Sequence, residues 1–586
     1  MNVLPSLRNV LFFVATVAVF GTGSDQVLSA EDSSRWPETF DRGIVALSDA
    51  EGVRVLWRLL PSDPPDTAFH VFRVEGRETL RLTERPIEDV TYFVDRTAEK
   101  GHRYGYFVQP IVGNTKGKPS KKAFVTPTGT TAAYLSIPLK GEYTFQKIGV
   151  ADLDGDGALD FVIKQPNANI DPYEKYWQPS PDTYKLEAYR SDGTFLWRFD
   201  LGWAIERGIW YSPYVVYDLD GDGKAEVAVK TGEGDPRDAD GRVQSGPEFL
   251  SVLDGQTGKI VAQTDWPPRD VMGGYNYASR NQLGVAYLDG KNPYLIVERG
   301  TYKVIIVRAY RFVGGKLQLA WEWDNRDAGP AYAGQGAHWM HADDVDGDGK
   351  QEVVLGSAVL DDDGKELWST GLGHPDHVYV GEIDPDRPGL EIYYGMETRQ
   401  RERNGMCLVD AATGKILWGY EGYTRHVHSY GMCSDIDPEH EGAECYSADT
   451  DEQKKYAWSR LWSCKGEVIS EANIGGFGPR TAYWDADLYR ELIIGRTIQK
   501  WQGEPIGPKL EGSYVATIDL LGDWREEIIT TVPGEIRIYV TDVPAKDRRA
   551  TWLADPVYRM DTVMATMGYY QVPMTSCLPS ATSAGR

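Results

Sequence analysis

Cysteine, histidine and basic residues are all scarce in this chain of 586 residues, and each shortage excludes something. The five cysteines, Cys407, Cys433, Cys445, Cys464 and Cys577, are an odd number, so at least one has no partner within the chain, and an exported chain is permitted disulfides whose connectivity the sequence leaves open. The shortest pairing open to them is Cys433 with Cys445. Lys and Arg number 62 against 87 Asp and Glu, a net charge of 62 − 87 = −25, so nucleic acid and other polyphosphates are disfavoured partners. Long helical periodicity is missing, as are a Gly-Xaa-Ser-Xaa-Gly elbow, a phosphate loop and a dinucleotide fingerprint. Beyond residue 20 no run is apolar enough to span a bilayer. The stretch Val10 to Phe20, with Arg8 before it and small residues after it up to Ala30, reads as a signal peptide over 1–30. The expectation is a secreted or periplasmic monomer with no membrane span.

Aspartate and glycine, by contrast, recur in a fixed pattern. Asp152-Leu153-Asp154-Gly155-Asp156-Gly157-Ala158-Leu159-Asp160 is repeated as Asp218 to Glu226, with Asp220 and Asp222 between, and as Asp344 to Glu352, with Asp346 and Asp348 between. Carboxylates at alternate positions, with glycines where the backbone turns, provide the hard oxygen shell that Ca²⁺ takes. An EF-hand needs a flanking helix on each side and a longer loop. Here each loop runs into a strand-like segment, as in Phe161-Val162-Ile163. These loops read as structural calcium staples.

Short alternating segments such as Val53-Arg54-Val55-Leu56-Trp57 and Phe69-His70-Val71-Phe72 place a small fibronectin-type-III-like β-sandwich over 31–128. From 129 to 586 the chain is repetitive. Weaker echoes of the aspartate loop start at 287, 382, 435, 485 and 519, making eight starts with the three full loops at 152, 218 and 344. Asp-Gly and Thr-Gly hairpin turns follow several of them, for example at Asp254-Gly255 and Thr413-Gly414. Eight serial sheet units, each too short to be a domain, predict an all-β, eight-bladed β-propeller. Insertions at 167–184, 232–246 and 266–281 exceed what hairpins need, and long loops on a rigid scaffold are where sites are built.

Six of only nine histidines lie in three short segments: His338 and His341, His374 and His377, His426 and His428. Each segment stands just upstream of a repeat start, so in a propeller all three approach the axis from one end. With Asp376 and Glu397 they form a candidate metal set. The competing readings are polar residues that merely close a channel, and two-carboxylate hydrolysis, which the abundant acids leave open.

The longer motifs are similar to polysaccharide lyase family 11, the rhamnogalacturonan lyases. The likeness runs over nearly all of the chain. It includes Val55-Leu56-Trp57-Arg58-Leu59-Leu60, Val216-Tyr217 leading into the second aspartate loop, Ser369-Thr370-Gly371-Leu372-Gly373-His374, and Asp519-Leu520-Leu521-Gly522-Asp523-Trp524-Arg525-Glu526-Glu527. The resemblance implies a calcium-rich eight-bladed propeller that cleaves an acidic polysaccharide, the pectic rhamnogalacturonan backbone, by β-elimination. It implies His338, His374, Asp376 and Glu397 as ligands of a cleft calcium. It also implies Lys509 near the substrate carboxylate and Tyr569 in the cleft. The family's Gly-Arg-Gly-Met reads Ser429-Tyr430-Gly431-Met432 here, its Asn-Asp reads Gln146-Lys147, and its Trp-Gln-Asn reads Met564-Ala565-Thr566. Arg425, His426 or His428 is expected to replace the missing arginine. The alternatives are another uronate polymer as substrate, or glycan binding without chemistry.

Overall fold

The computed structural model describes residues 40–579. The segment read as a signal peptide lies outside the described residues. Two sheets form the N-terminal module. Strands Val45–Asp49, Gly52–Leu56 and Tyr92–Asp95 make one. Glu78–Arg81, Thr67–Glu75, Tyr104–Val112 and Thr115–Lys116 make the other, with Ala123–Val125 also on Tyr104–Val112. Both sheets feed one core, in which Val53, Val55 and Trp57 from the first meet Phe69, Val71, Tyr106 and Val108 from the second.

Alternation puts Arg54 on the opposite face from Val53 and Val55, where solvent would be expected. It is nonetheless buried, because that face docks on the rest of the chain. Arg54 donates to the Thr541 and Ala132 carbonyls, both at 2.6 Å, and Arg58 donates to the Leu520 carbonyl at 2.6 Å. Burial lowers the Arg58 pKa below its ordinary value, although Asp41, Asp519 and Glu527 oppose the shift. Truncating Arg54 to Ala is expected to lower stability by about 2 kcal/mol, since charge-assisted bonds to buried carbonyls are lost. Thermal unfolding measures this, and turnover at the distant site should be unchanged.

The rest of the chain folds into eight four-stranded antiparallel sheets, one after another. Their leading strands are Lys147–Ala151, Tyr214–Tyr217, Asn281–Ala286, Gly336–Asp343, Pro375–Gly381, Met432–Ser434, Arg480–Ala482 and Ser513–Ile518. Seven of the sheets take their strands consecutively. The eighth borrows its outer strand, Tyr134–Pro138, from before the first sheet, in the register Tyr539↔Tyr134. The leading strands of sheets one to five touch in order, and that of the first also touches that of the eighth. Each of the eight repeat starts falls within about a turn of the end of a leading strand, as Asp152 follows Ala151 and Asp519 follows Ile518.

Strand parity then sorts the loops. A chain crossing a sheet four times returns to the end from which it started. The aspartate loops and the hairpin turns follow first and third strands, so they gather at one end. Loops after second strands and the links between sheets gather at the other. All three long insertions, and the segments carrying His374, Glu397, Arg425, His428 and Lys509, belong to that second end. The N-terminal module docks at the first, where the Asp41 amide meets the Gly157 carbonyl at 3.0 Å.

One helix, Pro556–Met564, departs from the expectation of a purely β chain. Pro556 occupies its first position and Asp555 caps it, accepting from the Tyr558 amide at 3.0 Å. It packs on the leading strands of sheets one to four, and every residue from Val557 to Met564 is buried. Burial on all sides, with Arg559, Asp561 and Thr562 among the buried residues, leaves no one-sided apolar stripe to read. Cys433 and Cys445 are direct cross-strand partners with their Sγ atoms 3.8 Å apart, as thiols rather than a disulfide.

Candidate active site

His338 is the third residue of the leading strand of sheet four, His374 immediately precedes that of sheet five, Asp376 is its second residue, and Glu397 follows the second strand of that sheet. Their ligand atoms all lie within 4.8 Å of one another. His374 Nε2 stands 2.9 Å from Glu397 Oε2 and 3.2 Å from His338 Nε2, and His338 Nε2 is 3.5 Å from Asp376 Oδ1. Both histidines and Asp376 are buried, while Glu397 is half-exposed.

Proton placement decides what such a cluster can do. His374 Nδ1 donates to the Gly336 carbonyl, so its Nε2 offers a lone pair. The Tyr302 hydroxyl lies 3.3 Å from His338 Nε2, close enough to donate to that nitrogen when it carries the lone pair. Burial, and then the nearby His374, push the His338 pKa down to about 4, so it is neutral at pH 7. Burial alone would raise the Glu397 carboxyl, but the adjacent His338 and His374 oppose it and hold it well below the usual carboxylate range. Two lone pairs and two carboxylates thus face one point with no cation among them, and a divalent ion fits this donor set.

Asp376 is fixed from behind. Its Oδ2 accepts from His428 Nδ1 at 2.8 Å and from the Ser429 amide at 2.5 Å. Ser429 adopts φ +68°, a left-handed conformation rare for a non-glycine residue, in delivering that amide. Burial opposes the His428 imidazolium, yet the bond to Asp376 outweighs it and raises the pKa. His426 stands with its Nδ1 3.5 Å from Glu397 Oε1. By contrast His341 and His377 serve the interior. His341 binds Asp561 at 2.7 Å and His377 binds Ser447 at 2.8 Å. Each lies three residues beyond a cluster histidine, and an odd step along a strand faces the other way.

Tyr569 presents its ring edge to His338 with centroids 5.3 Å apart, and burial keeps its phenol protonated far above the usual range. Gly568, at φ +60°, sets this contact, since a Cβ there would lie 2.1 Å from the His338 carbonyl oxygen. Gly568→Ala is therefore expected to displace both Tyr569 and His338 and to lower turnover about 100-fold, an effect initial-rate measurements resolve from any change in folding. The other predicted contacts lie farther out. Arg425 pairs with Glu452 at 3.2 Å, away from the cluster, and Lys509 is exposed on the link between sheets seven and eight. Trp210 and Tyr302 were not singled out from the sequence. The Trp210 ring lies 4.5 Å from that of His338, and Tyr302 lies 4.5 Å from His374. Trp210 precedes the leading strand Tyr214–Tyr217 and Tyr302 follows the second strand Tyr294–Arg299, both at the end that carries the cluster, a positional signal that aromatic abundance conceals.

At the opposite end, the three full loops are preorganised in the same way. Asp218 accepts the Gly221 amide at 2.8 Å and the Gly223 amide at 2.9 Å, and Asp344 accepts Gly347 and Gly349 at 2.9 and 3.0 Å. Asp152 holds Gly155 at 2.8 Å and Gly157 at 2.6 Å. Burial first, and neighbouring carboxylates after it, push the closing residues up: Asp160 to about 7, Glu226 to about 8, Glu352 to about 9. Asp154 Oδ1 and Glu352 Oε1 are buried with no hydrogen-bond partner among the described residues, as oxygens awaiting a cation would be. Asp154 also meets Arg190 at 2.5 Å, Asp156 meets Lys121 at 2.7 Å and Asp348 meets Lys350 at 3.3 Å. Among the described residues, the loop of Asp218, Asp220, Asp222 and Glu226 has no basic partner.

Comparison with known proteins now bears on this geometry. The model of the C-terminal domain of rhamnogalacturonan lyase family 11 matches residues 139–579, and that of the rhamnogalacturonan I lyase beta-sheet domain matches 35–126. The chain belongs to rhamnogalacturonan lyase family 11. Within this family of polysaccharide lyases it is 37% identical to the rhamnogalacturonan endolyase YesW of Bacillus subtilis, over 95% of this chain and 93% of that one. It is 36% identical to the exolyase YesX of the same organism, over 92% and 95%. The crystal structure of YesX superposes with a TM-score of 0.83 over 93% of this chain and 97% of its own, at 34% identity. That of YesW gives 0.83 over 92% and 96%, at 35% identity. The family 11 fold is thus shared along nearly the whole chain, as an all-β assembly of antiparallel sheets.

Proposed function

We propose that this chain is a secreted or periplasmic, calcium-dependent lyase that cuts a rhamnogalacturonan backbone by β-elimination at galacturonosyl residues. The observation that carries this reading is the convergence of His338, His374, Asp376 and Glu397 at the loop-walled end of the sheet assembly. The names of YesW and YesX support the substrate class. The difficulty of the reaction is that removing the C5 proton of a uronate loads charge on a carboxylate that is already anionic. A divalent ion held by the four ligands would neutralise that carboxylate and so acidify the C5–H bond.

The chain's own residues do the rest. His428 and the Ser429 amide keep Asp376 ionised and oriented. Tyr302 and Trp210 box His338. The protonated phenol of Tyr569 stands where it can give a proton to the departing C4 oxygen. Lys509, exposed on a link at the same end, is assigned to the anionic substrate as it enters.

The architecture follows the same reading. Sheets one to eight are the blades of a propeller over 129–586, an arrangement supported by the borrowed strand Tyr134–Pro138 and the contact between first and eighth leading strands. The 31–128 module is fibronectin-type-III-like, and its docking at the aspartate-loop end gives it a supporting role. Calcium staples occupy the three full loops, and the protein acts as a monomer on an acidic polysaccharide.

Incubation with rhamnogalacturonan I, homogalacturonan and other uronate polymers, with calcium or with chelator, tests the activity. Unsaturated-uronate absorbance should rise on rhamnogalacturonan I with calcium only, and no rise on any polymer sinks the reading.

A further inference from the structure

Arg480 opens the leading strand of sheet seven, so strand parity puts it at the cleft end. Its guanidinium lies over three tyrosine rings, 4.3 Å from Tyr514, 4.5 Å from Tyr430 and 5.5 Å from Tyr570. Three buried arginines elsewhere in the sheet assembly have carboxylate partners: Arg280 has Asp171 at 3.0 Å, Arg299 has Glu248 at 2.6 Å and Arg490 has Glu526 at 3.0 Å. Arg480 has none among the described residues. Its Nε is buried without a hydrogen bond, and its side chain is otherwise partly exposed.

A second cation shares the place. Lys147 is buried, its ammonium 4.0 Å from the centre of the Tyr570 ring, the ring that Arg480 also faces. It donates to the Met567 and Tyr569 carbonyls at 3.1 and 3.3 Å and meets no carboxylate among the described residues. Burial, together with Lys164 and Arg480, presses its pKa well down. A guanidinium held on aromatic faces without a counter-ion is costly unless something brings the anion, and Arg480, unlike Lys147, cannot shed its charge. The place adjoins the cluster. Tyr430 follows Ser429, which binds Asp376, and Tyr570 follows Tyr569, which faces His338, each about 3.8 Å along the chain between Cα atoms.

We propose that Arg480, held flat by Tyr430, Tyr514 and Tyr570 and backed by Lys147, is a second anion site in the cleft that takes the carboxylate of a neighbouring uronate of the bound polymer. The inference rests on the lyase reading for its substrate class. A guanidinium stacked on rings leaves its outer N–H fork free to meet a carboxylate with two parallel bonds, which a lysine cannot reproduce.

The test is titration calorimetry in chelator with a saturated rhamnogalacturonan I oligosaccharide and with its carboxyl-reduced counterpart, alongside initial rates in calcium. Arg480→Gln should raise Kd and KM for the intact ligand about tenfold, with kcat changed less and no difference from wild type on the reduced ligand. Arg480→Gln that is folded by thermal unfolding and binds the intact ligand as wild type does overturns the proposal. Should that variant not fold, Arg480→Lys decides. Weaker binding of the intact ligand alone supports the site, and binding unchanged, or weakened equally on both ligands, refutes it. If the wild type yields no unsaturated uronate at all, the lyase reading falls, while the chelator binding data still judge Arg480 separately.

Discussion

Glu397→Gln should release unsaturated uronate on the order of 10³-fold more slowly than the wild type while unfolding at nearly the same temperature. The substitution keeps shape and removes one charge. Glu397 stands 2.9 Å from His374 Nε2 and 3.7 Å from His338 Nε2, so it is the anion that lets two imidazole lone pairs share a cation. With an amide there, the cluster retains only Asp376 as an anion, and Asp376 already gives one oxygen to His428 and Ser429. Affinity for a divalent ion falls because the ligands no longer balance its charge. The same substitution relieves a crowded set of acceptors, so the fold has no reason to weaken. Initial rates over a calcium titration separate the two possible losses. A variant that recovers full activity at high calcium has lost only affinity, whereas one that stays slow has lost the aligned charge itself. His426→Ala, which meets the set through a 3.5 Å contact with Glu397 and lies within 4.8 Å of Asp376, should lose about tenfold. Glu397→Gln activity within tenfold of wild type would show that the cluster is not where the reaction occurs.

What could be read before the structure was known was what is encoded locally. The aspartate loops announce themselves because ligand spacing and turn glycines lie within nine consecutive residues, and all eight repeat starts fall just beyond leading strands. Val53, Val55 and Trp57 point inward as their alternation requires. Pairing over long distances left no such trace. Nothing in Tyr134–Pro138 names Tyr539 as a partner four hundred residues on, because a β-ladder is made of backbone groups common to every residue. The helix Pro556–Met564 escaped for a related reason, being buried on all sides. Within the site, the cluster of His338, His374, Asp376 and Glu397 was legible through family likeness and the placement of histidines before repeat starts. Trp210 and Tyr302 were not, since in a chain with 18 Trp and 34 Tyr the few that face the site are hidden among many. Arg425 shows the opposite error: sequence neighbourhood brought it near His426 and His428, but its guanidinium goes to Glu452.

In chelator, the protein should become more stable as the pH falls from about 9 towards 5, the reverse of ordinary acid denaturation. Without a cation, Asp160, Glu226 and Glu352 titrate in the fold near 7, 8 and 9, because burial and then neighbouring carboxylates penalise their ions. In the unfolded chain the same groups titrate near 4. A carboxyl whose folded pKa is raised favours the fold most when protonated. Its contribution is therefore complete below the unfolded pKa and drains away as pH climbs through the folded values. Each unit of displacement is about 1.4 kcal/mol, so the three groups together tilt the metal-free fold by several kcal/mol across that window. Calcium should remove this slope, since the ion then does what the proton did, and melting in calcium should be higher by more than ten degrees at pH 8. Two of the weaker loops supply an internal control. Lys465 binds Asp384 and Asp386, the latter at 2.7 Å, and Lys500 binds Asp485 at 2.7 Å, with Asp487 and Glu491 beside it. Those ammonium groups already sit among the carboxylates as fixed cations. Asp220→Asn, in the loop with no basic partner, should therefore reduce the calcium-induced rise in melting temperature, whereas Lys500→Met should lower stability in chelator and calcium alike. Melting curves at pH 5, 7 and 9, with and without calcium, decide the matter, and a metal-free protein that weakens steadily from pH 9 to pH 5 would refute the idea that these loops are built for a cation.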